Sequence, residues 1–240
     1  MDNRNLISVK PEYLNFIDRA SYFVSKYNTA GESNPYHNNA HLFGVGQLSC
    51  EIIMGAYLGS EVSLEVVDSF NDDILTVMLA GLFHDFGHGG AKVKDDAENI
   101  RVAVRAFKRW TLQAYVNIPA FFPEHIKLKI ISAIECTQFP HVVDPSTLAE
   151  KALRDADVLW ATTSGDPVIV MQHLRKEMSE KLGAEITYED MLEKQKVFMN
   201  DLKLFTDPGK ELLAKHKSSY LASLEEYVKN ESNGQKYLNQ

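Results

Sequence analysis

A histidine and an aspartate stand side by side where an apolar stretch of the chain ends. The stretch Ile74 to Phe83 has helical periodicity and leads into His84 and Asp85, and His88 follows before two glycines. Positions four apart share a helix face, so His84 and His88 point the same way. Two such polar groups at the end of a buried helix are costly unless something binds them. A metal ion would bind them, and a hydrogen-bonded His–Asp pair is the alternative.

Two further clusters favour the metal. Upstream, His37 and His41 are four residues apart at the start of a predicted helix and can supply one ligand and one proton donor, although such pairs also occur by chance on surfaces. Downstream, Asp157 lies within the apolar run ALRDADVLWA, where a carboxylate favours a cation as its partner. Asp155 could take its place, but a solvated aspartate near Arg154 is the simpler interpretation.

These motifs resemble those of the HD superfamily of metal-dependent phosphohydrolases, and most of all those of the cyclic nucleotide phosphodiesterases. YHNNAH, which starts at Tyr36, matches Tyr-His-Asn-x-x-His, and HDFGHGG, which starts at His84, matches His-Asp-x-x-His-x-Gly. The motif elements span residues 36 to 157. The resemblance implies an all-α HD domain and hydrolysis of a phosphoester by a metal-activated water.

The resemblance also implies a role for each matched position. Two divalent ions would be bound, from among Zn, Fe, Mn and Mg. Asp85 would bridge them, His37 would donate a proton to the leaving oxygen, and His88 would orient the attacking water. The ligands of the first ion would be His41, His84, Asp85 and Asp157.

A late element resembles the family's Gln-x-x-Phe clamp for the base. Gln195 would hydrogen-bond the base edge and Phe198 would stack on its face, with Tyr36 also at the substrate. The alternative is an amphipathic helix in which Phe198 packs into the core. The chain also departs from the family, because no asparagine follows HDFGHGG at the usual place. Glu98 and His141 are further candidates for the site.

Helical periodicity covers almost the whole chain, and no segment predicts a strand convincingly. We expect about nine helices in one domain over residues 1–240, with a polar tail from about 229. The predicted spans are 11–28, 37–58, 71–87, 94–116, 123–137, 146–161, 166–182, 188–205 and 208–228.

Composition narrows the classes of partner. The 240 residues carry a net charge of -8, which gives no general attraction for a nucleic-acid polymer. Cys50 and Cys136 are widely separated, as is typical of free thiols in a reduced compartment. No secretory signal or membrane-spanning run is recognisable, so we expect a cytoplasmic protein without a membrane partner.

The sequence therefore predicts a phosphohydrolase that acts on a small nucleotide, most of all on a cyclic nucleotide or related phosphodiester. Two alternatives stay open. One is a nucleotidase or nucleoside-triphosphate hydrolase with the same metal ligands, and the other is a non-catalytic, metal-bound sensor or interaction module.

Overall fold

The computed structural model describes residues 8–29, 33–61, 63–93, 95–115, 122–163 and 165–238. This part of the chain contains α-helices and no strand, so the all-α prediction is confirmed. A short 3-10 turn follows the third helix at Gly90–Lys92. The helices are α1 Pro11–Tyr27, α2 Asn39–Tyr57, α3 Leu64–Phe83, α4 Asp96–Tyr115, α5 Glu124–Glu135, α6 Leu148–Thr163, α7 Pro167–Leu182, α8 Tyr188–Asp201 and α9 Asp207–Leu238.

Several helix ends follow the local chemistry of the sequence. The Asp166 side chain accepts hydrogen bonds from the first backbone N–H groups of α7, with Pro167 in its first turn. Thr187 caps α8 in the same way. Two predicted ends were wrong. Helix α3 begins at Leu64 rather than 71, because Ser63 caps it, and α9 continues to Leu238 rather than ending near 228.

The helices that carry the site pack backbone against backbone. Helices α2 and α3 are joined by a short connection, which makes them antiparallel neighbours, so the start of α2 lies beside the end of α3. A Cβ atom at Gly81 of α3 would lie 2.5 Å from the Cα of Gly46 in α2. This close approach brings His41, near the start of α2, to the level of His84.

Helix α6 completes this central packing. A Cβ atom at Gly44 of α2 would lie 2.0 Å from the indole nitrogen of Trp160, so the Trp160 ring fits against a surface that only glycine leaves open. Asp157 precedes Trp160 by one helical turn on α6. The contact therefore directs Asp157 towards the same end of the α2–α3 pair.

A second apolar cluster, which we call the C-terminal cluster, is built from α7, α8 and α9. Its buried side chains include three methionines and one tyrosine, namely Met171, Met191, Met199 and Tyr220. Helix α7 also packs against the Gly90–Lys92 turn, so a side chain of this helix can reach the end of α3. Among the residues described, no helix has the length and apolar content needed to cross a membrane.

Candidate metal centre

Both ligand histidines are held by the ends of their helices. Asn38 caps α2 by accepting hydrogen bonds from the backbone N–H groups of Ala40 and His41. His84 lies at the end of α3, where its Nδ1 is 2.8 Å from the carbonyl oxygen of Gly81. Because a carbonyl can only accept, Nδ1 carries a proton, and Nε2 is the ring nitrogen that faces the centre. Both imidazoles are almost completely buried.

The four predicted ligands of the first ion converge on one point. The Nε2 of His84 lies 3.1 Å from Asp85 Oδ2 and 3.4 Å from Asp157 Oδ1. The Nε2 of His41 lies 3.2 Å from each of the same two oxygens. The two Nε2 atoms are 3.2 Å apart.

This spacing fits one bound cation. Metal–ligand bonds of about 2.1 Å separate neighbouring ligand atoms by roughly 3.0 Å in an octahedral site and roughly 3.4 Å in a tetrahedral one. Two imidazole nitrogens and two carboxylate oxygens are also a donor set that divalent metals accept. The residues present can therefore hold a metal ion.

The charges of the group are strongly coupled. Burial alone lowers the pKa of His84, but the carboxylates of Asp85 and Asp157 outweigh burial and hold that pKa well above its usual value. The pKa of His41 is raised by the same carboxylates against the effect of burial. Burial alone raises the pKa of Asp85, but His84 and His37 bring it well below its usual value. Protons on the imidazoles therefore occupy the place that a divalent cation can take.

The neighbouring aspartate of α6 has a different task. The Asp155 carboxylate accepts hydrogen bonds from the backbone N–H groups of Phe205 and Thr206, at 2.9 and 2.8 Å, and from the Thr206 hydroxyl at 2.6 Å. It is fully buried and holds the connection before α9. The geometry therefore places Asp157 with His41, His84 and Asp85, and we call these four residues the metal group. Asp155 instead stabilises the fold.

A second histidine cluster adjoins the first. His37 Nδ1 lies 2.5 Å from Glu177 Oε1, and the other oxygen of Glu177 accepts the backbone N–H groups of Tyr36 and His37. The His37 Nε2 is 4.0 Å from Asp85 Oδ2. Burial alone raises the pKa of Glu177, but the hydrogen bond from His37 outweighs it and lowers that pKa. Glu177 is thus an ionised carboxylate that orients His37.

His88 stacks on His37, with ring centroids 3.9 Å apart. Its Nδ1 accepts the backbone N–H of Gly90 at 3.1 Å, and its Nε2 lies 3.8 Å from Asp96 Oδ1. The ligand atoms of His37, His88 and Glu177 lie close enough together to hold a cation as well. The Nδ1 atom of each histidine is engaged in a hydrogen bond, and the two rings are stacked rather than convergent, which favours proton chemistry over coordination.

The structure directs the acidic candidate after HDFGHGG away from the histidine clusters. The side chain of Glu98 is 43% exposed and pairs with Arg101 and Arg105. Asp96, two residues earlier, faces His88 instead and also accepts the backbone N–H of Phe139 at 2.7 Å. An asparagine from further along the chain contacts this segment, because the Asn99 side chain accepts the backbone N–H of Gly89 at 3.0 Å.

Among the described residues, His141 makes no contact with either histidine cluster. Its Nδ1 bonds the carbonyl oxygen of Gln138, three residues away, at 3.0 Å. It lies in the connection between α5 and α6, beside a separate cavity.

The predicted substrate residues are divided between two places. Tyr36 lies against the metal group, with its ring 5.1 Å from that of His41. Gln195 is buried, and its carboxamide oxygen accepts the hydroxyl of Tyr220 at 2.8 Å. Phe198 lines the separate cavity that His141 borders. The clamp of Gln195 and Phe198 on a base stays a prediction.

Two contributing residues were missed from the sequence. Glu177 lies in a strongly charged stretch, LRKEMSEKL, where nothing distinguishes it from acids at a surface. Asp96 stands among several acids at the start of α4, and only its contact with His88 separates it from them.

Comparison with protein-family models, with curated proteins and with solved structures finds no match. The resemblance to HD phosphohydrolases therefore rests on the motifs quoted above and on the arrangement of their side chains.

Proposed function

We propose that the protein is a metal-dependent phosphohydrolase that opens a phosphodiester, with a cyclic nucleotide or a related nucleotide diester as its substrate. The observation that carries the proposal is the juxtaposition of a four-ligand group with a histidine–glutamate pair. Their closest approach is the 4.0 Å between Asp85 Oδ2 and His37 Nε2. A metal site alone would also fit a sensor, but an oriented imidazole beside it supplies what hydrolysis needs.

His41, His84, Asp85 and Asp157 would hold the first ion. The resemblance to the family implies a second ion, to which Asp85 would also contribute its carboxylate. Bound divalent ions lower the pKa of water and stabilise charge on a phosphoryl group. Asp85 suits the shared position because its Oδ2 faces both ligand imidazoles and the His37 side of the site.

His37 would act as the general acid. Glu177 accepts the Nδ1–H of His37 and directs Nε2 towards the site, where this nitrogen would carry the proton to be donated. Transfer of that proton to the leaving oxygen avoids release of an alkoxide. His88, stacked on His37 and anchored by Gly90, would help to fix the position of the acid and of the attacking water.

The test is a screen of metal-reconstituted protein with Zn, Fe, Mn and Mg against cyclic mononucleotides, cyclic dinucleotides and nucleoside triphosphates. His37→Gln protein, prepared and loaded in parallel, controls for contaminating hydrolases. A cyclic diester opened to a monophosphate, by the wild type and not by the variant, supports the proposal.

Other reaction products would favour one of the alternative functions. Release of inorganic phosphate or triphosphate favours the nucleotidase or triphosphohydrolase alternative with the same ligands. Stoichiometric metal with no turnover of any nucleotide or of bis(p-nitrophenyl) phosphate would exclude the enzyme and favour the sensor.

A further inference from the structure

A cavity of about 1100 Å³ lies between α6, α8 and three connections, at residues 139–144, 182–186 and 202–205. None of the seven residues of the two histidine clusters lines it. Val158, the neighbour of Asp157 on α6, forms part of its wall. The cavity is thus distinct from the candidate metal centre, although one helix borders both.

The wall of this cavity includes a buried arginine without an ion pair. Arg154 is only 4% exposed, yet no carboxylate of the described residues forms a salt bridge with it. Its Nη1 donates to the carbonyl oxygen of Val143 at 2.6 Å, and its Nε has no hydrogen-bond partner among those residues. The guanidinium carbon lies 5.3 Å from the centroid of the Phe205 ring.

Three other arginines have a carboxylate partner, although the Nε of Arg175 is also buried without a hydrogen bond. Arg101 and Arg105 share Glu98 at the surface, and Arg175 reaches Glu185 at 3.4 Å. Each of these is more exposed than Arg154 and therefore has less need of a partner. Burial lowers the pKa of Arg154, and the attraction of the more distant carboxylates of Asp144, Asp155 and Asp157 offsets this only in part. An anion in direct contact with the guanidinium would therefore be stabilised. The planar guanidinium matches a carboxylate, a sulfonate or a phosphate.

The other residues of the wall indicate what kind of ligand would fit. Phe139, Phe198, Phe205 and Leu202 supply aromatic and aliphatic surface for an apolar body. Acids outnumber bases around the opening, where the side chains of Asp144 and Glu185 are each 84% exposed. The other charged residues of the lining are Asp190, Glu193, Asp201, Lys194 and Lys203. The acids disfavour a second negative group near the opening, which argues against a polyphosphate.

We propose that this cavity binds a small amphipathic organic anion, with one anionic head on Arg154 and an aromatic or aliphatic body against the phenylalanines. The site does not depend on hydrolysis at the metal centre. It gives Phe198 a partner other than the base of the substrate.

The probe is 8-anilinonaphthalene-1-sulfonate, which has one sulfonate on an aromatic body and becomes fluorescent when bound to protein. It is titrated into the full metal-loaded chain, into Arg154→Met and, as a matched control, into Arg109→Met, which changes an exposed arginine of α4. N-phenyl-1-naphthylamine has the same body without the sulfonate.

We expect one saturable site per chain, and a Kd for the sulfonate raised about 10-fold or more in Arg154→Met, as for loss of a charged hydrogen bond. Arg109→Met should bind it as the wild type does, and the neutral dye should not distinguish the three proteins.

Because Arg154→Met also loses the bond to Val143, a second variant guards against misfolding. Val197 lines the cavity from an exposed position on α8, so Val197→Glu adds a negative charge at little cost to the fold. It should weaken binding of the sulfonate and leave the neutral dye unchanged. Equal sulfonate affinity in the wild type and both cavity variants, or no saturable binding to the wild type, overturns the proposal.

Discussion

The two histidine clusters use the same residue types in opposite arrangements. In the metal group, the Nε2 atoms of His41 and His84 face each other at 3.2 Å with carboxylate oxygens around them. In the other, the rings of His37 and His88 lie parallel, and a carboxylate bonds the edge of His37. Convergent lone pairs suit a cation, whereas an oriented N–H suits proton transfer. Side-chain direction, rather than residue type, separates the two tasks.

The side chains of the two clusters are oriented by different contacts. The metal group is directed by backbone contact between α2 and α3 at Gly46 and Gly81, which fixes both helix ends. The His37 cluster is directed by Glu177, which comes from α7 of the C-terminal cluster, and by the turn after His88. We therefore expect the geometry of the metal group to depend chiefly on a bound metal. The geometry of the His37 cluster should depend on the hydrogen bond from His37 to Glu177.

The largest expected effect follows from removing the acid that faces both clusters. Asp85→Ala deletes one of the four candidate metal ligands and a carboxylate 4.0 Å from His37 Nε2, so bound metal and the proposed phosphohydrolase activity should be lost together. Elemental analysis and turnover of the substrate found in the screen measure the two losses. Asp18→Ala, at an exposed position of α1, is the control and should change neither. Full metal content in Asp85→Ala would contradict the ligand set.

The second prediction separates proton donor from ligand. His37→Gln should keep the metal content of the wild type and lower kcat on a ribose diester by about 10²–10⁴-fold, the usual contribution of a general acid. Glu177→Gln should lower it less, because the imidazole remains in place. Bis(p-nitrophenyl) phosphate has a leaving group that needs no proton, so His37→Gln should lose far less activity on it. An equal loss on both substrates would point to a structural role for His37.

The third prediction contrasts the two aspartates of α6. Asp155→Ala leaves three buried donors of Phe205 and Thr206 without their acceptor, and should lower the free energy of unfolding by about 1–3 kcal/mol or more. Its metal content should stay that of the wild type. Asp157→Asn should do the reverse, with metal reduced and the fold retained. Denaturant unfolding measures the stability of both variants, and elemental analysis of the same preparations measures their metal content. Loss of metal from folded Asp155→Ala would show that the two aspartates do not have separate roles.

The smallest effect concerns pH. The pKa of His84 is raised above 6.5 in the metal-free fold, so the stability that protonated His84 contributes is complete below 6.5 and is lost as pH rises through the raised pKa. Metal binding replaces those protons and strengthens as pH rises. The gain in Tm on metal loading should therefore increase as pH rises above 6.5. A gain that is constant over this range would contradict proton–metal exchange at His84.

The prediction of the metal group from sequence relied on polar residues inside apolar periodic runs. His84, Asp85 and Asp157 each interrupt a buried helical pattern, and a buried charge needs a partner wherever the helix lies. The all-α fold could be predicted for a related reason, since the 3.6-residue periodicity is local and repeated. The end of α9 could not, because the polar residues after 228 gave no apolar pattern that marks a helix.

Tertiary structure alone decided which acids join which histidines. Glu177 reaches His37 across 140 residues because α7 packs on the turn after α3, and no local pattern records that crossing. Asp96 faces His88 while Glu98 faces solvent, although both stand in the first turn of α4. The sequence by itself determined that helices would bring buried histidines and aspartates together. The packing of those helices decided which ring nitrogens converge on one point and which one is held by a carboxylate, because orientation depends on contacts between residues far apart in the chain.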